Sequence, residues 1–204
     1  MKRIQVAIFS AIAAASLAAA VVANQAVAIT LPGDSLYQLQ LVLKDHNGKA
    51  VLMPSLGGQV RIATMFYTQC GVACPLTIET IKQLREKLTS QEREQLQILM
   101  ISLDPQRDSV PALKKTMEQR ELDQRYWTLT RVEPGDLRRL AAALGVQYRQ
   151  LKDMEINHSS ILTLLDAQGR IRAKSSKIGE VDLEYLTAVK AVLAESKSSR
   201  GNAS

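Results

Sequence analysis

The sequence predicts an α/β fold, a central mixed sheet flanked by helices, and three observations predict it. Two mostly apolar runs, Val60 to Tyr67 and Leu96 to Leu103, have the continuous hydrophobicity of strands buried on both faces of a sheet. Segments of helical periodicity follow each run, giving the strand–helix alternation of a parallel sheet. Toward the carboxyl end, Ile161 to Leu165 and Arg170 to Ala173 are joined by Asp166-Ala167-Gln168-Gly169, a turn signature that adds an antiparallel hairpin.

Each element has its own signal. From Asp34 to Leu43 the residues Leu36, Tyr37, Leu39, Leu41 and Leu43 partly alternate, and Asp45-His46-Asn47-Gly48 turns the chain into another short extended segment, an N-terminal hairpin. Gly57-Gly58 introduces the first buried strand. Pro75 suits a first helical turn, and Leu76, Ile78, Ile81, Leu84 and Leu88 continue at helical spacing among charges. After the second buried strand, the run from Asp104 to Ser109 reads as a loop closing on a helix cap, with a helix from Val110 to Glu121. Tyr126 to Leu129 is a short strand, and Leu137 to Leu144 is a helix stopped by Gly145. A last amphipathic helix spans Val181 to Ala194, and residues 196–204 form a polar tail expected to be disordered.

The N-terminus carries Lys2-Arg3, an alanine-rich apolar run from Ile4 to Ala23, and Ala26-Val27-Ala28, which together read as a secretory signal peptide over residues 1–28. If retained, the same run is nearly long enough to anchor the chain in a bilayer. Cleavage leaves 176 of the 204 residues and a net charge of +4 in place of +6, enough chain for one domain over residues 29–195. A charge of that size, with no nucleic-acid motif beside it, argues against nucleic acid as a partner. Export would place the two cysteines in an oxidising compartment, where a function that needs thiols requires a reductant.

Those cysteines, Cys70 and Cys74, lie in Tyr67-Thr68-Gln69-Cys70-Gly71-Val72-Ala73-Cys74-Pro75, between the first buried strand and its helix. Ligands of parallel sheets gather beyond the carboxyl ends of the strands, where this motif lies. Positions i and i+4 share a helix face, so the two sulfurs can converge to form a disulfide, to hold a soft metal, or to alternate between the two. A disulfide closing so short a loop removes little chain entropy, which makes pure stabilisation a poor reason for the pair. Thiolates select Cu(I), and an imidazole completes a site that can also hold Cu(II). Of the two histidines, His158 precedes a predicted strand and is the better candidate, while His46 reads as a solvated turn residue. Met65 and Met100, inside strands, read as core.

Three blocks, Phe66 to Pro75, Ser102 to Ser109, and Asn157-His158-Ser159 followed by Leu164 to Gly169, occur in the order seen in one family. The chain resembles the Sco/SenC family of copper-binding, thioredoxin-fold proteins over roughly residues 35 to 195. The resemblance implies a thioredoxin-like domain with an N-terminal hairpin extension, periplasmic in location, binding Cu(I) or Cu(II) through Cys70, Cys74 and His158. It implies as partner the copper-centre subunit of cytochrome c oxidase or another periplasmic copper protein, with a possible thiol reductant. The role implied is delivery of copper to the dinuclear centre, or reduction of that centre's cysteines. In the second case the chain is a thiol-disulfide oxidoreductase with Cys70 and Cys74 as its redox pair, although thioredoxins space theirs C-x-x-C. Asp104, Arg107 and Asp108 match the family's second block and are expected to shape its loop. Two departures stand out. Gly71-Val72-Ala73 replaces the proline and acid that many members carry after the first cysteine, and the signal segment looks cleavable.

Overall fold

A computed structural model describes residues 31–152 and 155–201. The expected signal segment, residues 1–28, and the last three residues of the tail lie outside the described residues. The elements run in the order β1 (Val42–Asp45), β2 (Ala50–Leu52), β3 (Val60–Phe66), α1 (Ala73–Glu86), α2 (Ser90–Gln95), β4 (Leu96–Ser102), α3 (Val110–Gln119), β5 (Trp127–Val132), α4 (Pro134–Leu144), β6 (Tyr148–Gln150), β7 (Ile156–His158), β8 (Leu162–Leu165), β9 (Ile171–Ser175) and α5 (Leu183–Gly201). Seven strands form one mixed sheet in the order β2-β1-β5-β4-β3-β8-β9, and β6 and β7 form a separate two-stranded ribbon.

The continuous apolar runs take the centre of the sheet. All seven residues of β3 are buried, and β3 pairs in parallel with β4 from Val60↔Leu96 to Phe66↔Ser102. That register brings the carboxyl ends of both strands to one edge, so the loops that follow them meet. The one charge inside β3, Arg61, donates to the Leu56 carbonyl from Nε at 3.3 Å and from an Nη at 3.1 Å, so it is buried with a partner. Helix α3 packs on β1 and β5, and α5 on β3 and β9. Both expected hairpins are present and antiparallel, β1–β2 beyond β5 and β8–β9 beyond β3.

Several expectations change. Leu36–Gln38 is a 3-10 turn and not strand, because the Ser35 hydroxyl caps it by accepting from the Tyr37 N–H at 3.1 Å. His46 is buried, at 5 % exposure, and not solvated. Its turn folds onto β5, where its N–H donates to the Leu129 carbonyl at 2.9 Å and its Nδ1 accepts from the Leu129 N–H at 3.4 Å. Helix α2 was not expected, though its capping box, Thr89 with Glu92, stands in the sequence. Helix α5 runs to Gly201, past the boundary set for the disordered tail, with Ser196 buried and Lys197 bonded to Gln91. Among the described residues no helix is long and apolar enough to cross a membrane.

The turn between β8 and β9 locks the N-terminal segment in place. The Leu36 N–H donates to the Gly169 carbonyl at 2.9 Å, and the Ser35 hydroxyl donates to the Gln168 carbonyl. Gly169 has φ +81°, and a Cβ there would lie 2.5 Å from the Tyr37 ring, which is fully buried. Both conformation and space demand glycine. Gly169→Ala is expected to cost about 2–4 kcal/mol of stability in urea unfolding, from the left-handed backbone and the steric overlap together. A loss under about 1 kcal/mol would show that the turn is not this tightly built.

Candidate metal centre

The first loop grows directly out of β3. Tyr67, 3 % exposed, continues the strand, and the Cys70 N–H donates back to the Tyr67 carbonyl at 3.2 Å. Only Cys74 lies on α1, in its first turn, so the expected placement of both cysteines on one helical face is corrected. Cys70 sits in the loop before the helix, and its sulfur still reaches Cys74 because the Cys74 N–H donates to Cys70 Sγ at 3.2 Å. The N-cap residue, Val72, has no side chain able to accept, and Pro75 has no N–H to leave bare. The Cys70 sulfur thus fills the capping role at a helix end that favours negative charge.

Both cysteines are free thiols, at 9 % and 5 % exposure. The Cys70 thiol is held well below its ordinary pKa, first by the Cys74 thiol donating to it, against the cost of burial, then by the N–H groups of Cys74 and Val72. Cys74 moves the other way, raised by being that donor and by its own burial. The two shifts are opposite, the direction expected of a pair that shares one proton with Cys70 the more acidic member.

His158 arrives from the far end of the chain on β7, opposite Tyr148 of β6. Its Nδ1 lies 3.1 Å from the Ser159 carbonyl. A carbonyl oxygen can only accept, so Nδ1 carries the proton and Nε2 keeps its lone pair. That Nε2 is buried and has no hydrogen-bond partner. One ligand atom from each of Cys70, Cys74 and His158 lies within 4.8 Å of the others, so these residues form a group that could hold a metal ion, and their two sulfurs and one nitrogen make a soft donor set. His46 has the opposite polarity. Its Nδ1 accepts from a backbone N–H, which leaves the proton on Nε2 and no lone pair to give a metal.

Two residues hold the arrangement together. Tyr67 donates its hydroxyl to the Glu155 carboxylate and accepts from the Ile156 N–H at 3.4 Å, while its ring meets that of His158 edge-on at 6.0 Å and 77°. Asp108, fully buried, accepts from the Ser102 hydroxyl at 2.6 Å and from the N–H and hydroxyl of Thr68, so it ties the cysteine loop to the end of β4. Burial raises the Asp108 carboxyl pKa, and the Ser102 and Thr68 bonds oppose the shift. Asp104 pairs with Arg107 inside the same loop. The second block shapes its loop as expected, and Asp108 also braces the cysteines. The role of Tyr67 was not anticipated, nor was the β6–β7 ribbon, although the tyrosine stands beside the cysteine motif. Met65 and Met100 are core, at 2 % and 0 % exposure.

A thioredoxin-like sheet with two cysteines and a histidine beyond its strand ends defines a class of thiol and metal proteins. The sequence profile of the SCO1/SenC family matches residues 32–193. A Stutzerimonas stutzeri protein named for copper binding is 30 % identical over 154 residues, 73 % of either chain. Among solved structures, Bradyrhizobium japonicum ScoI with copper bound has a TM-score of 0.63 at 22 % identity, covering 74 % of this chain and 96 % of that one. BsSco, described with a disulfide switch and as a member of the Sco family of cytochrome c oxidase assembly proteins, has 0.63 at 21 %, covering 75 % and 91 %. The chain belongs to the SCO1/SenC family.

Two predictions follow from this geometry. Tyr67→Phe removes both hydroxyl contacts, and is expected to cost about 1–2 kcal/mol in urea unfolding and to speed amide exchange at Ile156. Unchanged exchange would mean that the tyrosine does not hold the His158 segment. In the reduced, metal-free protein, ultraviolet absorption should show one thiolate persisting as pH falls below the ordinary thiol value of ~8.5. Because the Cys70 pKa is lowered by its partner, Cys74→Ala should move that loss of absorption back up toward ~8.5. A wild-type thiolate that disappears at the ordinary value would refute the shared-proton pair.

Proposed function

We propose that this protein is an exported, periplasmic copper-binding chaperone that holds copper through the sulfurs of Cys70 and Cys74 and Nε2 of His158. In this reading it helps assemble the dinuclear copper centre of cytochrome c oxidase. The observation that carries it is the grouping of the Cys70, Cys74 and His158 ligand atoms within 4.8 Å of one another, together with a buried His158 Nε2 that has no hydrogen-bond partner. A buried polar atom without a partner is costly, and coordination would relieve it. The copper named for the Stutzerimonas and Bradyrhizobium relatives supports the choice of metal, and the family description attached to BsSco supports the partner, the copper-centre subunit of cytochrome c oxidase. The N-terminal sequence supports export.

The residues divide the work. With the Cys70 pKa lowered and that of Cys74 raised, Cys74 is the thiol that would release its proton on binding, so loading favours higher pH. His158 is fixed in the tautomer that donates from Nε2. Copper would supply a soft, redox-active ion with affinity for thiolate and imidazole. Tyr67 and Asp108 hold the two segments in place.

One observation favours a second reading. A thiolate hydrogen-bonded to a neighbouring thiol can attack a partner's disulfide, and closing the Cys70–Cys74 bond would pass two electrons and the shared proton to the partner, leaving it one thiol and one thiolate that takes its proton from water. His158 separates the readings, because exchange needs no imidazole there.

Copper titration of the reduced protein is expected to load one ion per chain, with binding abolished in Cys70→Ser and weakened by about 10–100-fold or more in His158→Ala. If His158→Ala binds copper as tightly and with the same absorption spectrum, the three-residue site is wrong.

A further inference from the structure

His158 also lies in the wall of an open cleft of about 430 Å³, together with Gln147, Tyr148, Arg149 and Ser159. A second cleft of about 510 Å³ shares Gln147, Tyr148 and Arg149 with the first and extends to α4, where Arg138, Ala141 and Val146 line it. Together they make a groove bordered by Gln147 to Arg149, with His158 in the wall of one cleft and α4 in the wall of the other, and neither cysteine lines it. Arg138 and Arg149 are exposed, and no acid lines either cleft. Neither arginine forms an ion pair with a described residue, whereas Arg139, one position along α4, faces Asp136 at 3.9 Å. Ala141 and Val146 are buried and make part of the wall apolar. β6 has β7 on one side and no described strand on the other. On the sulfur side, Val72 and Leu76 are apolar and exposed, at 73 % and 42 %.

We infer that this groove docks an acidic, extended segment of a partner protein, with carboxylates on Arg138 and Arg149 and its end beside His158. Two unpaired guanidiniums on a partly apolar wall call for a ligand that carries both carboxylates and apolar side chains. Each cleft has room for more than about ten waters, far more than a single small anion fills. An extended peptide segment matches that size and that mixture of charge and apolar wall. The inference deepens the copper-exchange reading and rests on it for what the partner does there, since a segment so placed ends beside His158.

The test uses the full, reduced, metal-free chain and a fluorescein-labelled peptide alternating glutamate and valine, read by fluorescence anisotropy. Binding is expected to weaken with added salt and to fall by about tenfold or more in Arg138→Glu/Arg149→Glu. The control Lys114→Glu/Lys115→Glu, on α3, should change it by less than about twofold. Should the charge reversal fail to fold by circular dichroism, Arg138→Gln/Arg149→Gln replaces it, with a loss of about threefold or more expected. Absent binding, an unchanged affinity in the folded arginine variant, or equal loss in the lysine control overturns the groove. So does displacement of the peptide by inorganic phosphate at the concentration of unlabelled peptide that displaces it, because the site is then a simple anion site. As no copper is present, failure here leaves the copper titration standing, and failure of that titration leaves the groove standing.

Discussion

The structure depends on closing a long stretch of chain onto the cysteine loop. His158 lies far along the sequence from Cys74, and bringing the ends of such a segment together costs on the order of 4 kcal/mol in chain entropy. The sheet meets most of that requirement, because β8 follows His158 and pairs directly with β3, the strand that leads into the cysteines. Sheet pairing sets positions to within a residue or so, whereas a donor set must be placed more finely. Tyr67 supplies the finer control. It sits at the end of β3, and its hydroxyl takes hold of the segment just before His158 while its ring sets the imidazole edge.

The second constraint is electrostatic. Helix α1 begins without a conventional cap, and a sulfur stands where an oxygen usually would. One geometric choice has two consequences. The Cys74 N–H gains an acceptor and Cys70 is driven toward the thiolate, the form in which a sulfur binds metal or attacks a disulfide. The Cys74 pKa moves up as that of Cys70 moves down, so the pair is poised between the two chemistries. Metal binding would remove the Cys74 proton, and disulfide formation would remove both thiols. A disulfide here would leave neither sulfur free to bind a metal, so an oxidising surrounding would oppose metal binding by this pair.

Much of the fold was legible because the central strands are apolar without interruption, the hairpin turns carry Asn-Gly or Gln-Gly signatures, and α4 ends on a glycine at φ +75°. Short elements were not. β6 and β7 are three residues each and carry polar residues on an exposed ribbon, so no periodicity marks them. The cysteine pair and His158 were visible from spacing and order, but a helical i, i+4 reading placed Cys70 one element too far along. His46 shows why composition misleads at turns: a polar sequence does not reveal that the turn folds back on β5 and buries the ring. Asp108 was recognisable as part of a loop, while its grip on Thr68 needed the parallel register of β3 and β4 to become apparent.

The central claim is that the tautomer of His158 is set before any metal arrives, with the proton on Nδ1 and the lone pair left on Nε2. Nitrogen-15 NMR of the reduced, metal-free protein reads this directly. The account predicts the Nδ1–H tautomer for His158 and the Nε2–H tautomer for His46. A His158 found protonated on Nε2, or exchanging freely between tautomers like a solvated imidazole, would contradict it.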